Sequence, residues 1–324
     1  MSFLDYLRVL VSVLLSSGFF TLFERKVLGS VQFREGPSKV LVIGFFQPII
    51  DALKLFSKTN ISSEVSVDLV YFLPPFLTFF ISLICWVVFP LSWGLLSWYS
   101  GLLFVVFCFR ISVYGIILSG WFSRSKFASL GCVRALSQSL SYEIPLSSVL
   151  LTFMLVFSSI SLKELVEMQE LVFFSFPFLF LMVIRFVIFL AEINRSPFDL
   201  AEGERELVRG FSVELGGGSF VAVFLGEYVA LAWASVLISL FFFGEIGLLF
   251  GVKVLLFMFF FAWVRSRVPR IRFDHVMIMC WLTVLPLAFV LLLLFFVTLF
   301  NQSQRGRRVF VKNIIEWKFW LILR

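Results

Sequence analysis

Eight long apolar windows dominate this chain and restrict the folds that it can adopt. They lie at Leu4–Phe23, Val67–Phe89, Leu102–Trp121, Ile144–Ile160, Leu171–Ala191, Gly218–Phe243, Val252–Val264 and Val276–Phe300. A helix needs about 20 apolar residues to cross a bilayer, and in lipid a helix satisfies its own backbone hydrogen bonds. The seventh window is short and must borrow residues on either side. The sequence therefore predicts an all-α, polytopic membrane protein with about eight transmembrane helices.

The composition agrees with a membrane protein and excludes a soluble two-domain protein. Of 324 residues, 60% are hydrophobic and 15% are charged, whereas soluble domains average about 45–50% and about 25%. Neither an internal repeat nor a low-complexity linker is visible. We expect a single membrane domain over residues 1–300, followed by a basic C-terminal tail over residues 301–324.

The placement of basic residues predicts the orientation of the chain. The odd-numbered predicted loops hold 16 Lys and Arg residues, and the even-numbered loops hold two. The positive-inside rule then places the odd loops on the side of synthesis. This topology explains the net charge of +7 better than nucleic-acid binding does. The basic C-terminal tail does not fit this orientation, because an even number of spans places it on the side opposite the basic loops. Either the tail breaks the rule locally, or the last helix does not cross the membrane, or the tail lies along the interface, as Trp317 and Trp320 suggest.

The sequence contains no motif for a metal site or a redox cofactor. The four cysteines are far apart, none is in a CxxC pair, and His275 is the single histidine. A metal centre or a disulfide framework therefore does not follow from the sequence. Walker and GxGxxG motifs are also missing from the sequence, so we expect the chain to carry no redox cofactor of its own.

The first loop contains a short amphipathic helix. Apolar residues at 46, 49, 50, 53 and 56 share one face, and polar residues at 47, 51, 54 and 58 share the other. Pro48 suits the first turn of a helix. We expect this helix to lie at the membrane surface with Asp51 and Lys54 pointing away from lipid. It is either an anchor or the wall of a cavity that an amphiphile could enter from the bilayer.

The fifth loop, from Glu192 to Gly210, is rich in acidic residues. Ser196 with Asp199 three residues later resembles a capping box, and Gly210 is a plausible helix stop. The pattern thus predicts a helix in which Asp199, Glu202 and Glu206 stack, with Glu204 nearby. The alternative is a solvated charged loop, but the acidic run continues into the membrane.

Three glutamates extend this acidic loop into the predicted spans: Glu192 ends the fifth, Glu143 begins the fourth and Glu227 lies inside the sixth. A carboxylate in hydrocarbon costs about 2.5–3.5 kcal/mol, so we expect these groups to face the protein interior or water. They are either structural partners of Arg110 and Arg185 or a proton and charge relay, and the alignment with the acidic loop favours the relay.

The seventh loop, Arg265–Asp274, is basic until its end. It either contacts anionic lipid head groups, docks a soluble partner, or holds the acids of the fifth loop in place.

Several of these segments resemble the NADH–ubiquinone oxidoreductase chain 1 family. They are Glu24–Gly29 (ERKVLG), Arg34–Pro37 (REGP), Gln47–Phe56 (QPIIDALKLF), Ala191–Glu204 (AEINRSPFDLAEGE), Ser119–Trp121, Arg134–Ala135, Ser141–Glu143, Glu227–Tyr228 and Pro269–Asp274. The resemblance runs in order from about Leu4 to Phe300, and the acidic-loop match is the most specific. The chain looks like the mitochondrially encoded animal form.

The resemblance implies a subunit of respiratory complex I in the mitochondrial inner membrane, with the odd-numbered loops toward the matrix. It implies that Arg25, Arg34, Asp51, Arg134 and Arg195 line or support a ubiquinone chamber. The implied acidic path consists of Glu143, Glu192, Glu227, Asp199, Glu202, Glu204 and Glu206. Ubiquinone is then the substrate, and the chain has no complete active site alone.

The resemblance also implies which groups and partners lie outside this chain. NADH, FMN and the iron–sulfur clusters belong to other subunits. The implied partners are hydrophilic quinone-module subunits on the matrix side, antiporter-like membrane subunits, and lipids. The rival interpretations are a homologous subunit of a membrane hydrogenase-type complex, a free-standing ion carrier, and a structural scaffold without chemistry.

Overall fold

The computed structural model describes residues 3–39, 44–59, 68–90, 99–157, 160–169, 178–200, 210–212, 215–244 and 248–304. Within these ranges the ordered elements are helices, and no strand occurs. The α-helices are α1 (Phe3–Val31), α2 (Gln47–Ser57), α3 (Asp68–Ile84), α4 (Gly101–Phe122), α5 (Lys126–Phe157), α6 (Leu162–Glu167), α7 (Leu179–Glu192), α8 (Gly217–Phe243), α9 (Leu248–Arg267), α10 (Phe273–Ile278) and α11 (Leu285–Gln304). A π-helical stretch, Met279–Val284, joins the last two helices, and short 3₁₀ helices occupy Cys85–Val88 and Gly210–Ser212.

The predicted fold class is confirmed. Seven helices in the described ranges are long and apolar enough to cross a membrane. The predicted fifth span corresponds to α7, whose preceding residues 170–177 lie outside the described part. The predicted division at residue 300 stays a prediction, because residues 305–324 also lie outside it.

Helix α8 forms the centre of the bundle. It packs against α1, α3, α7 and α9, and 78% of its apolar span is buried, compared with 11% for the last span. Its Trp233 is fully buried, with the ring 5.2 Å from that of Trp86. A helix that is apolar on all sides belongs in such a position. Glu227, on the same helix, is therefore placed in the middle of the protein.

A glycine allows α3 to approach α8 beside this glutamate. A Cβ atom added at Gly226 would lie 3.2 Å from the Cα atom of Phe79 and 3.4 Å from its backbone nitrogen. A side chain at this position would therefore push the two backbones apart by a few tenths of an ångström. The close packing brings the side chains of α3 next to Glu227.

The amphipathic helix of the first loop is confirmed as α2, with Pro48 in its first turn. Its apolar residues Phe46, Ile49, Leu53 and Phe56 are exposed at the surface of the protein. This is the arrangement that a helix at the membrane surface requires.

The helix predicted to begin at Ser196 is wrong where the structure describes it. Residues 196–200 form a turn followed by residues without regular secondary structure, and the Phe198 amide donates to the Arg195 carbonyl at 2.8 Å. The side chain of Phe198 is buried, and Asp199 contacts another loop. Tertiary packing thus overrides the local capping signal. The remainder of the predicted helix, with Glu202, Glu204 and Glu206, lies outside the described residues.

Candidate functional site

The base of α1 meets α2 at a charged contact beside a cavity. Arg25 Nη1 lies 2.8 Å from Asp51 Oδ2, and Gln47 donates to the other carboxylate oxygen of Asp51 at 2.8 Å. Asp51 therefore points to α1, and the sequence did not indicate Arg25 as its partner. A cavity of about 650 Å³ adjoins this contact, and Arg25, Arg34 and Gln47 are among its lining residues.

The five predicted quinone-chamber residues do not lie in one group. The structure brings Arg25, Arg34 and Asp51 together around α1 and α2. Arg134 is half-buried on α5 and is not among the residues that line this cavity. Arg195 joins a different group of residues, which includes Glu24.

A buried carboxylate one residue before Arg25 connects α1 to two other spans. The side chain of Glu24 is nearly buried and receives hydrogen bonds from Arg265 Nη1 at 2.6 Å and Tyr228 Oη at 2.5 Å. Sequence reasoning missed this group as a site. Glu24 stands in the first quoted motif beside Arg25, but its partners are 204 and 241 residues away, which no local spacing reveals.

Arg195 extends this group toward the intramembrane acid of α8. Its guanidinium carbon lies 4.2 Å from the Tyr228 ring centroid, and its Nη2 lies 4.0 Å from Glu227 Oε2. Burial alone would lower the pKa of Arg195, but its attraction to Tyr228, Glu24 and Glu227 raises that pKa above its ordinary value. Arg195 therefore keeps its positive charge throughout the physiological pH range.

Glu192 and Glu227 both line a small interior cavity, as expected for acids within a membrane protein. The cavity has a volume of about 70 Å³ and also contacts Asn194, Ser112 and Thr78. Its volume is enough for water molecules, which need about 10–15 Å³ each, although apolar side chains form most of the lining. The two carboxylates thus line one cavity, to which α3 and α4 also contribute.

Glu143 and Arg185 show that structural pairing accompanies the acidic residues. Glu143 on α5 forms an ion pair with Arg110 on α4, which is the structural pairing that the sequence offered as the alternative to a relay. Arg185 is fully buried, and its guanidinium carbon lies 4.3 Å from the centroid of the Phe189 ring. Such cation–π contacts stabilise a buried cation, and Arg185 also attracts Glu192.

Asp199 contacts the basic seventh loop. Arg270 Nη2 lies 2.7 Å from Asp199 Oδ2, and the Ile271 amide donates to the Pro197 carbonyl at 3.1 Å. The alternative in which the seventh loop holds an acid of the fifth loop is therefore confirmed for Asp199. Glu202, Glu204 and Glu206 lie outside the described residues.

Metal-binding groups are not found in the part of the chain that the structure describes. No three His, Cys, Asp or Glu side chains within it are arranged to hold a metal ion. All four cysteines are buried and free. The charged groups in the described part of the site are carboxylates and arginines paired with each other.

Comparisons with known proteins identify the family. A sequence model described as NADH dehydrogenase matches residues 4–296. A protein of Anopheles gambiae is 38% identical, with 92% of this chain and 98% of that protein covered. Proteins of Dictyostelium citrinum and Paracentrotus lividus are each 40% identical, covering 89% and 88% of this chain and 91% of each relative. All three are named NADH-ubiquinone oxidoreductase chain 1. The chain therefore belongs to the NADH dehydrogenase family.

Proposed function

We propose that this chain is the chain 1 membrane subunit of an NADH–ubiquinone oxidoreductase, in which it helps form the ubiquinone chamber and couples ubiquinone reduction to proton translocation. The names of its relatives support the enzyme and the substrate. The subunit supplies no complete active site. Its contribution is to bind the quinone and to respond to the charge that reduction creates.

The observation that carries the proposal is the opposite orientation of two successive residues of α1. Arg25 points to Asp51 beside the large cavity, whereas Glu24 points to Tyr228 and Arg265 in the interior. A change of charge at the cavity therefore acts on Arg25, which is next to the buried Glu24 in the sequence. From Glu24 the polar groups continue through Tyr228 and Arg195 to Glu227.

The contacts in this path are close enough to transmit charge. Two unit charges 4 Å apart interact by about 4 kcal/mol at an effective dielectric constant of about 20. Arg195 and Glu227 are separated by 4.0 Å. When reduced ubiquinone takes up protons near Asp51, the altered charge changes the interactions of Arg25 and Glu24. Arg195, Glu227 and Glu192 then respond in turn, and Asp199 and Glu143 contribute to the same path.

The remaining parts of the proposal concern location and partners. We place the protein in the mitochondrial inner membrane with the odd-numbered loops toward the matrix, where hydrophilic quinone-module subunits would dock. Antiporter-like membrane subunits would receive the relayed charge, and lipids would surround the exposed apolar faces. NADH, FMN and the iron–sulfur clusters would be carried by the hydrophilic subunits, because the sequence of this chain has no motif for them.

The test is to replace Glu192 or Glu227 with Gln in the assembled complex. Each change keeps the size of the side chain and removes the group that can gain or lose a proton, so proton translocation per NADH oxidised should fall. The matched control is Glu167→Gln, since Glu167 is an exposed glutamate paired with Lys163 on α6. Full translocation by a complex in which both Glu192 and Glu227 are replaced would exclude the relay.

A further inference from the structure

Two neighbouring residues of the seventh loop hold two residues of the fifth loop. The backbone amide of Ile271 donates to the Pro197 carbonyl at 3.1 Å, and the guanidinium of Arg270 donates to the Asp199 carboxylate at 2.7 Å. One contact is made by the backbone and the other by side chains. Together they attach the turn at residues 196–200 to the seventh loop over a separation of 71 residues in the sequence.

The opposite side of this turn is held by α5. The Phe198 carbonyl accepts a hydrogen bond from Gln138 Nε2 at 2.8 Å, and the Phe198 ring centroid lies 6.1 Å from that of Tyr142. Tyr142 in turn donates to the Val276 carbonyl at 3.3 Å, just beyond the seventh loop. The turn is thus enclosed between α5 and the seventh loop.

The turn fixes the position of Arg195. The Phe198 amide donates to the Arg195 carbonyl at 2.8 Å, so the backbone at Arg195 is part of the same turn. The Arg195 side chain lies over Tyr228 and reaches Glu227. A contact that holds the turn therefore also holds the cation that faces the intramembrane acid.

We propose that Arg270 is a positioning residue of the relay, which acts through the Asp199 contact to hold Arg195 beside Glu227. This inference rests on the proposed function, since it assigns a role within the same charge path. Arg272, two residues further along, provides a contrast: it pairs with Asp274 inside its own loop at 3.0 Å, and both side chains are exposed. Among the described residues, the ion pair of Arg270 is thus with the fifth loop and that of Arg272 is with its own loop.

The experiment compares Arg270→Gln, Arg270→Lys and the control Arg272→Gln in the assembled complex. Hydrogen exchange is measured at the amides of Phe198 and Leu200, which donate within the turn. Loss of the Arg270 contact should accelerate their exchange about fivefold, because the turn then opens more often. Arg270→Lys should give a smaller increase, and Arg272→Gln should give none.

Activity is measured in two ways on the same preparations. Oxidation of NADH by a soluble artificial electron acceptor reports assembly, and it should be unchanged in all three variants. Proton translocation per NADH oxidised with ubiquinone should fall at least about twofold in Arg270→Gln, remain closer to normal in Arg270→Lys, and be normal in Arg272→Gln.

Several outcomes would overturn the inference. Equal exchange and translocation in Arg270→Gln and Arg272→Gln would show that the contact positions nothing, and faster exchange with normal translocation would show a structural role alone. If Arg270→Gln does not assemble, the test uses Arg270→Lys instead. Hydrogen exchange in Arg270→Lys at the same rate as in the wild-type protein would then overturn the proposal. If Glu192→Gln and Glu227→Gln translocate normally, the proposed function fails independently, whatever exchange the turn shows.

Discussion

Replacing Glu24 with Gln removes a buried negative charge that faces two arginines. The Glu24 side chain is 4% exposed, and its two oxygens accept hydrogen bonds from Arg265 and Tyr228. Arg195 lies over the Tyr228 ring, close enough to be attracted by the carboxylate. Gln keeps the size of the side chain and can still accept from Tyr228, so the change mainly removes charge.

The expected loss of stability follows from this geometry. Removing one member of a fully buried ion pair costs about 3–5 kcal/mol, because the other charge stays buried without compensation. The side chain of Arg265 is 36% exposed, so water can solvate part of its charge, and contributions of exposed pairs are about 1 kcal/mol or less. We therefore expect Glu24→Gln to destabilise the folded chain by about 2–3 kcal/mol.

The assay is the abundance and thermal inactivation of the assembled complex. A loss of about 2–3 kcal/mol lowers the ratio of folded to unfolded chain by about 30- to 150-fold, and losses of this size reduce the amount of protein in cells several-fold. Glu35→Gln is the matched control, because Glu35 is an exposed glutamate in the following loop. Surface changes of this kind usually alter stability by about 0.5 kcal/mol or less.

A double-mutant cycle decides whether the ion pair is the cause. Arg265→Gln should also destabilise the complex, and the double variant should be more stable than the sum of the two single losses predicts, because no charge remains unpaired at that contact. Equal inactivation rates for Glu24→Gln and Glu35→Gln would refute the reasoning. Strict additivity in the cycle would refute it as well.

Two further predictions concern packing and the membrane surface. Gly120→Ala should prevent assembly, because the added Cβ atom would lie 2.5 Å from the Cβ of Cys132 and 3.0 Å from the Ala128 carbonyl oxygen. The control Gly18→Ala should assemble normally, since a Cβ atom there would have nothing within 4 Å. The amount of complex on a native gel measures both variants. Leu53→Asp should raise the KM for ubiquinone with little change in kcat, because a charge on the exposed apolar face of α2 opposes the contact of this helix with lipid. The control is Lys54→Gln, which lies on the polar face. Equal KM values for the two variants would contradict the proposed membrane contact.

The spans and α2 could be predicted from the sequence because their signals are local. About 20 apolar residues have few alternatives to a helix in lipid, and Pro48 with a two-faced pattern marks the start of α2. The interior position of Glu227 followed from the free energy of placing a carboxylate in hydrocarbon. Each of these inferences depends only on residues that are close in the sequence or on the properties of the lipid around the helix.

The contacts that build the site could not be predicted in the same way. Glu24 pairs with Arg265, and Asp199 pairs with Arg270, over 241 and 71 residues. The composition of the loops showed that acids and bases were available, but it did not specify the pairs. At Ser196 the local capping signal predicted a helix that does not form there, because the burial of the Phe198 side chain determines the backbone conformation of this segment.

The pairing of acids with arginines constrains how such a relay can work. The pairs are Glu24 with Arg265, Glu143 with Arg110, Glu227 with Arg195, and Asp199 with Arg270. An arginine at about 4 Å attracts an ionised carboxylate by about 4 kcal/mol at an effective dielectric constant of about 20. Taking up a proton on one of these acids therefore costs the energy of its ion pair. Under the proposed function, the relay passes changes of charge between paired groups, with Arg195 held beside Glu227 by the turn and Glu227 fixed in the central helix.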